Sequence, residues 1–490
     1  MKIQKKTAQN ILIVLNSSGL LFIAFYYFIA PSFIITKSAN EEGIKTEGIS
    51  PFAKSLHQKI SAEFEPWAEE RVAEGKAEKL ELSDISGTEW PLFGSVFYLW
   101  STENIFRELP EKDKESFLKY SLRSANAAVE LIVDPKHATW VRKHWGENYL
   151  HHQNVFYRML LISGLTSHYH ISGDKKYFPI LKDQVLTLSK ELEDSKTGLL
   201  DDYPGECYPS VILSAIANIQ RASKVLGIDK TVFVRRAERA FLTLHDETGL
   251  PTYSAEAISG QAIGVARGNS NSFLLTFAPE IYPEKAKKWF SQYEANFWQE
   301  RFSAVGFREF PKNYKGLGFF YMDVDAGPVI GGYGAAANAF GVAAARANGR
   351  LDLAAPLSHQ MLTVSWPLPS GNLLIPSFLS SAADAPLIGE IGVLFSLTVQ
   401  PAKGIISKQG KSHSPFAWIV SFIYAGIGIV VLRISWKKWS RREELSLKLK
   451  DSFLFLMTVL SVLSAICLFF SGYHFSLLIL ALSIQLLVFK

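Results

Sequence analysis

Apolar positions along this chain fall into two regimes. At residues 11–35, 416–432, 452–470 and 473–489 they run without a charged residue, each run near the length that crosses a bilayer as a helix. Between them apolar positions recur every three to four residues, the period of amphipathic helices. That spacing predicts helices at about 90–108, 112–133, 147–171, 175–195, 209–226, 230–245, 271–280, 284–302, 331–348 and 350–362. Alternating strand patterns are nearly absent. The stretch 37–85 is charged and weakly apolar, and reads as a linker ending in a short helix around 64–77. The first apolar run is too long for a cleaved leader's core, so an uncleaved anchor is favoured over cleavage near Ser38 and Ala39.

The chain therefore divides into an N-terminal anchor (1–36), a linker with a short helix (37–85), an all-α domain (86–400), a second linker (401–415) and three C-terminal transmembrane helices (416–490). An internal repeat refines the domain. Thr197, Gly198 and Leu199 recur as Thr248, Gly249 and Leu250, and a weaker copy surrounds Gly306. A period near 50 residues is two helices plus a loop, the unit of an (α/α)6 toroid or barrel with a central cavity.

Net charge is +5, but its distribution changes its meaning. Lys2, Lys5 and Lys6 precede the first apolar run, and the loop 433–450 is rich in Lys and Arg. With these set aside the middle of the chain is slightly acidic. The positive excess is a topology signal and gives no support to nucleic-acid binding. It predicts a multi-pass protein of a bacterial inner (cytoplasmic) membrane, both termini and the basic loop cytoplasmic, the large domain periplasmic or extracellular. The bilayer is one expected partner; a second copy or an envelope protein could dock through the C-terminal spans. Cys207 and Cys467 are the two cysteines, placed too differently to form a disulfide framework.

Candidate chemistry concentrates in residues 198–209. Gly198, Pro204, Gly205 and Pro209 break helix and strand there, and between them stand Asp201, Asp202, Tyr203, Glu206 and Cys207. Asp201, Asp202 and Glu206 supply an acid and a base if burial separates their pKa values. Cys207, at the start of the next helix, is a further proton-transfer or nucleophilic candidate if the helix end stabilises its thiolate. A second set is Tyr321, Asp323 and Asp325 before a helix of small residues; alternate acids in an extended segment share a face. A third is Glu147, His151 and His152 at an expected helix start. Adjacent histidines diverge on a helix, which disfavours a shared metal. Trp90 beside Glu89, Arg267 with Asn269, and Glu309 beside Arg308 complete the candidates.

The hub resembles the linalool dehydratase/isomerase family, whose pattern Cys-x-x-Asp-Asn-Tyr-x-x-x-Cys aligns without a gap on residues 198–207. Asp201, Tyr203 and Cys207 match; Gly198 and Asp202 replace the family's first cysteine and its asparagine. Asp323, Asp325 and Gly327 resemble a further acidic motif of that family, and Glu147 with Asn148 its Glu-Asn pair. The resemblance implies an (α/α)6 barrel performing acid/base lyase or isomerase chemistry on a small alcohol or alkene, with no cofactor and no metal. In that reading Cys207 and the hub acids transfer protons, Asp323 and Asp325 orient the substrate hydroxyl, and loss of the thiol costs most of the turnover. A glycan-active toroid, hydrolase or epimerase, is the alternative, because such sites also pair two carboxylates in a cleft lined by Trp and Tyr. A non-catalytic envelope scaffold is the third reading.

Overall fold

The computed structural model describes residues 2–441 apart from 82–83, 317, 384 and 411–412. The runs at 452–470 and 473–489, and the basic loop beyond Arg441, lie outside the described residues. The chain is mostly helical. It opens with α1 (Lys2–Ala24), a π turn at Phe25–Ile29 and α2 (Ala30–Ser38). Next come α3 (Pro51–Glu74), α4 (Ile85–Glu108), α5 (Glu111–Val133), α6 (Thr139–Trp145), α7 (Val155–Ser172), α8 (Phe178–Asp194), α9 (Pro209–Leu226) and α10 (Thr231–Ala237). The remainder is α11 (Gly268–Ile281), α12 (Pro283–Phe297), α13 (Ala335–Ala347), α14 (Leu351–Ser365), α15 (Leu374–Ala382), α16 (Ile388–Thr398) and α17 (Pro415–Ser440).

Two compact units result. Among the described residues, one holds 2–38, Leu362–Ala382 and 415–441; the other holds Ala39–Met361 and Ala383–Ser414. In the first, Ile13–Ser38 and Pro415–Ser440 are long and apolar enough to cross a membrane. They pack side by side and antiparallel: Ser32 Oγ meets Ser421 Oγ at 3.0 Å, and Ser435 Oγ donates to Ser17 O at 2.8 Å. Gly428 brings the helices close; a Cβ there would sit 2.7 Å from Ile29. Small residues and interhelical hydroxyl bonds are the usual means of joining helices in lipid.

In the second unit α4 packs on α7, α7 on α9, α9 on α11, α11 on α13, α13 on α16, and α16 on α4. The helices between them in sequence pack against these: α5 on α4 and α7, α8 on α7 and α9, α12 on α11. The first group carries small or apolar side chains on nearly every face, and α7 is buried along almost its whole length. Aromatic rings join these helices: Phe97 stacks on Phe395 at 5.0 Å, Phe340 touches both Phe97 and Phe273, and Trp100 touches Phe277 and Phe395. Such pairs add to the energy of burying the rings.

Several expectations are revised. The stretch taken as a linker holds α3, a helix of 24 residues packed on α5; Leu56, Ile60, Phe64 and Ala68, four apart, form its buried stripe. The helix expected from residue 147 begins at Val155. Within the expected 86–400 domain, Leu362–Ala382 groups with the membrane-length helices. Short antiparallel hairpins also occur: β1 (Ser254–Ala255) with β2 (Ala262–Ile263), β3 (Trp298–Arg301) with β4 (Ala304–Phe307), and β5 (Phe320–Asp323) with β6 (Gly327–Ile330) and β7 (Tyr333–Gly334). The first two repeats take the same shape. Gly198 and Gly249 adopt φ of +78° and +75°, and Thr197 and Thr248 each accept from the Leu N–H two residues on. The third copy differs, since Gly306 lies in β4.

His57 on α3 is fully buried between the rings of Tyr98 and Phe117, at 5.4 and 5.0 Å. Its nitrogens meet Tyr120 and Thr102, and burial pushes it from 6.5 down to about 3. Because the unfolded chain takes up this proton first, stability is full above about 6.5 and falls as pH drops toward 3. The expected slope is about 1.4 kcal/mol per pH unit. Thermal midpoints of wild type and His57→Gln measured from pH 7 to 4 check this; the variant should lose that share of the slope.

Candidate active site

The hub loop joins α8 to α9, and a tight turn shapes it. Asp202 N donates to Glu206 O at 2.7 Å, Glu206 N to Tyr203 O at 2.8 Å, and Gly205 N to the Asp201 carboxylate at 2.9 Å. Asp201 therefore shapes the turn. Asp202 is fully buried; one oxygen accepts from Tyr208 N at 2.6 Å and the other has no aligned partner. Burial pushes its carboxyl well above the ordinary range, with the charges of Asp201 and Glu206 adding to the effect. Asp202 thus braces the loop through the Tyr208 N–H.

Cys207 takes a different place from the one expected. It precedes α9 by two residues, is fully buried, and pairs with β1 through the Ala255 N–H, which donates to Cys207 O at 2.9 Å. Burial, then Asp202 and Asp201, push its thiol up, opposite to the lowering that a helix end would give. Cys207→Ala is accordingly expected to leave turnover within about threefold while lowering stability by about 1–2 kcal/mol. Paired activity and melting measurements check this.

The Cys207–Ala255 pairing sets Tyr208 beside Tyr253, ring centres 5.3 Å apart. Tyr208 donates to Glu206 at 2.6 Å, and Tyr253 donates to Asp325 in a short bond. Asp325 stands at the turn between β5 and β6, so the hub and the second acidic segment meet here. The Arg267 guanidinium lies 4.5 Å from the centre of the Tyr253 ring. It also pairs with Glu309 at 2.7 Å and Asp323 at 2.8 Å. Burial opposes ionisation of Asp323, but the Ala326 N–H, the Tyr321 hydroxyl at 2.8 Å and Arg267 hold it below its ordinary value.

Glu309 is fully buried and also accepts from Asn269 N in the first turn of α11. Burial still pushes it from 4.5 up to about 7. Gly268 permits this arrangement, because a Cβ there would fall 2.0 Å from Arg308 O. Glu309 thus anchors Arg267 from below, instead of facing substrate as expected.

The last member comes from α4. Glu89 faces the largely buried Tyr203 hydroxyl, close enough to interact though not as an aligned hydrogen bond. Burial pushes Glu89 from 4.5 up to about 7; Tyr203 opposes this, while the charges of Asp325 and Glu206 reinforce it. His144 stands edge-on to Tyr203, ring centres 5.4 Å apart, and burial lowers it although Glu206 favours its charged form. The site is thus a rim: Glu89, His144, Tyr203, Glu206, Tyr208, Tyr253 and Asp325. Phe156 lies 5.8 Å from Tyr203 and touches Phe93, which in turn touches Phe97. Glu206 and Asp325 are open to solvent.

No protein-family model matches this chain, and no curated protein matches it.

The third expected set does not join the rim. Glu147 is exposed and faces Arg142 at 3.8 Å; His151 is exposed and bonds Asp183 at 3.0 Å; His152 is exposed against Trp145. Their segment forms an irregular turn ending in two left-handed residues, Gln153 (φ 46°) and Asn154 (φ 55°). Its contribution is support: Gln153 Oε1 accepts from Asp201 N at 2.7 Å, and Val155 N donates to Asp201 O at 3.2 Å. Trp90 is half-buried next to Glu89, and Tyr321 is exposed over Asp323. Tyr253 and His144 had no sequence signal beyond being polar aromatics near turns.

Proposed function

We propose that the second unit is an (α/α)6 toroid, with α4, α7, α9, α11, α13 and α16 inside, whose rim performs cofactor-independent acid/base chemistry of the lyase or isomerase type on a hydroxyl-bearing substrate. What carries this reading is the place of Glu89, beside the Tyr203 hydroxyl and within reach of the charges of Asp325 and Glu206, where burial pushes it from 4.5 up to about 7. A carboxyl raised toward neutral pH suits the role of proton donor, and a neighbouring carboxylate that of acceptor. In a dehydration, Glu89 gives its proton to the leaving hydroxyl oxygen as the C–O bond breaks and that oxygen keeps the electron pair. Water leaves, Asp325 takes the proton from the adjacent carbon, and the C–H electrons become the double bond. Readdition of water at another carbon completes an isomerisation. Tyr253 and Arg267 position Asp325 and Asp323. This fits the reaction class implied by the linalool dehydratase/isomerase resemblance but assigns the thiol's role to Glu89.

The exposure of Glu206, Asp325 and Tyr321 favours one second reading, a glycan as the hydroxyl-bearing substrate, since a sugar chain needs an open rim. We further propose that both basic ends of the antiparallel helices face the cytoplasm, setting the rim in the periplasm or outside the cell. Full-length protein in detergent, incubated with pooled lipid alcohols and pooled oligosaccharides and followed by product mass, tests the reading. Loss of one water or a mass-neutral rearrangement supports it. Gain of one water points to glycoside hydrolysis, and no conversion in either pool removes the enzymatic proposal.

A further inference from the structure

The segment Leu362–Ala382 contains no charged residue, yet the hydropathy pattern did not mark it as a span because Pro367, Pro369, Ser370, Gly371 and Asn372 interrupt it. It closes on itself. Trp366 adopts φ of +54° at the end of α14, Pro367 pairs with Leu373, Leu368 N donates to Asn372 O at 2.8 Å, and Leu374 N donates to Trp366 O at 3.1 Å before α15 starts. A hairpin that satisfies its own backbone in this way meets the main requirement for placing irregular chain at membrane depth.

Its packing fixes that depth. Trp366 stacks on Tyr424 at 4.5 Å, and Tyr424 is the middle residue of the apolar run 416–432. Eight residues of helix separate it from either end of that run, about 12 Å. The indole N–H of Trp366 donates to Tyr27 O at 2.6 Å, a carbonyl inside the π turn Phe25–Ile29. A π turn shifts the helical hydrogen-bond register and so offers carbonyls to outside donors. Leu368 and Leu374 are buried with Ile23, Tyr27 and Phe28, all inside the candidate span Ile13–Ser38. Val364 and Leu379 are exposed at 47% and 53%, and Phe33 on α2 and Phe422 on α17, in the same unit, are also open.

We propose that the end of α14, the turn at Trp366 and α15 form a re-entrant hairpin inserted to mid-depth in the bilayer, with lipid acyl chains as the partner of Val364 and Leu379. The inference rests on α17 spanning the membrane, so its test carries a control for that. Full-length Cys207→Ser/Cys467→Ser protein bearing Val364→Cys, Leu379→Cys, Ile423→Cys or Phe302→Cys is labelled with a bimane fluorophore in phosphatidylcholine vesicles. Quenching by phosphatidylcholine carrying a mid-chain nitroxide is then compared with quenching by aqueous iodide. Positions 364, 379 and 423 are expected to be quenched several-fold more by the nitroxide lipid, and position 302, in an exposed loop, by iodide. If 423 is quenched by lipid while 364 and 379 respond to iodide, or to both alike, the hairpin proposal is overturned. If 423 also responds to iodide, the spanning reading falls and takes the hairpin with it. Two reporter positions on an exposed face protect the outcome against one variant that fails to fold.

Discussion

Glu89→Gln is expected to lower turnover on the order of a thousandfold while leaving the fold intact, because it removes a general acid and keeps the side chain's shape and hydrogen-bonding atoms. The wild-type protein should show the complementary pH behaviour. With Glu89 pushed up to about 7, the donor is protonated below that pH and lost above it. The rate should therefore hold on the acid side and fall as pH rises through about 7. In Glu89→Gln the residual rate should no longer show that limb. A pH–rate series on both proteins decides the matter: an unchanged alkaline limb in the variant would assign the titration to another group. The burial of Glu89 also has a cost in stability. Between about 4.5 and 7 the folded chain holds a proton that the unfolded chain has released, so this group's contribution declines as pH rises.

The second large effect concerns Arg267. Its charge is placed between two acids, Glu309 fully buried and Asp323 partly so. Arg267→Met leaves both without their cation, and breaking one partner of a buried ion pair costs about 3–5 kcal/mol. Part of that loss is relieved if Glu309 takes up a proton, to which burial already inclines it. The expected result is a lower melting temperature together with lost turnover, because Asp323 and the Tyr253 ring also lose their support. Arg267→Met/Glu309→Gln should recover much of the stability but little of the activity. Melting and turnover measured on the two variants separate the structural share from the positioning share. Full stability in Arg267→Met would show that the pair is solvated and that the site is not built on it.

Much of this organisation is legible in the sequence where periodicity is strong and the surroundings are simple. The helices at 209–226 and 112–133 have clear apolar stripes and marked ends, Pro209 opening one and Gly227 closing it. The hub acids and the Asp323–Asp325 segment were recognisable because proline and glycine break regular structure around them. Legibility fails where chemistry depends on long-range pairing. Nothing along the chain announces that Ala255 pairs with Cys207, which brings Tyr253 to Asp325. Glu89 looked like one polar residue at a helix start, and its role follows from burial against Tyr203. Glu147, His151 and His152 show the reverse: a dense polar turn whose work is to hold Asp201 by the backbone. Cys207 stands two residues before the helix that the sequence predicts it to open, and its burial follows from the pairing with Ala255. The charged exposed face of α3 hid its apolar stripe in the same way.

The central claim is that α4, the hub loop and the β5–β6 turn contribute to one catalytic unit. A double-mutant cycle between Glu89→Gln and Asp325→Asn, read as turnover on the substrate identified from the pools, tests it most directly. Residues that act on the same substrate molecule as donor and acceptor are strongly non-additive. The double variant should be little slower than the slower of the two single variants. Losses that multiply would mean that the two carboxylates act independently, and the shared site proposed here would be contradicted.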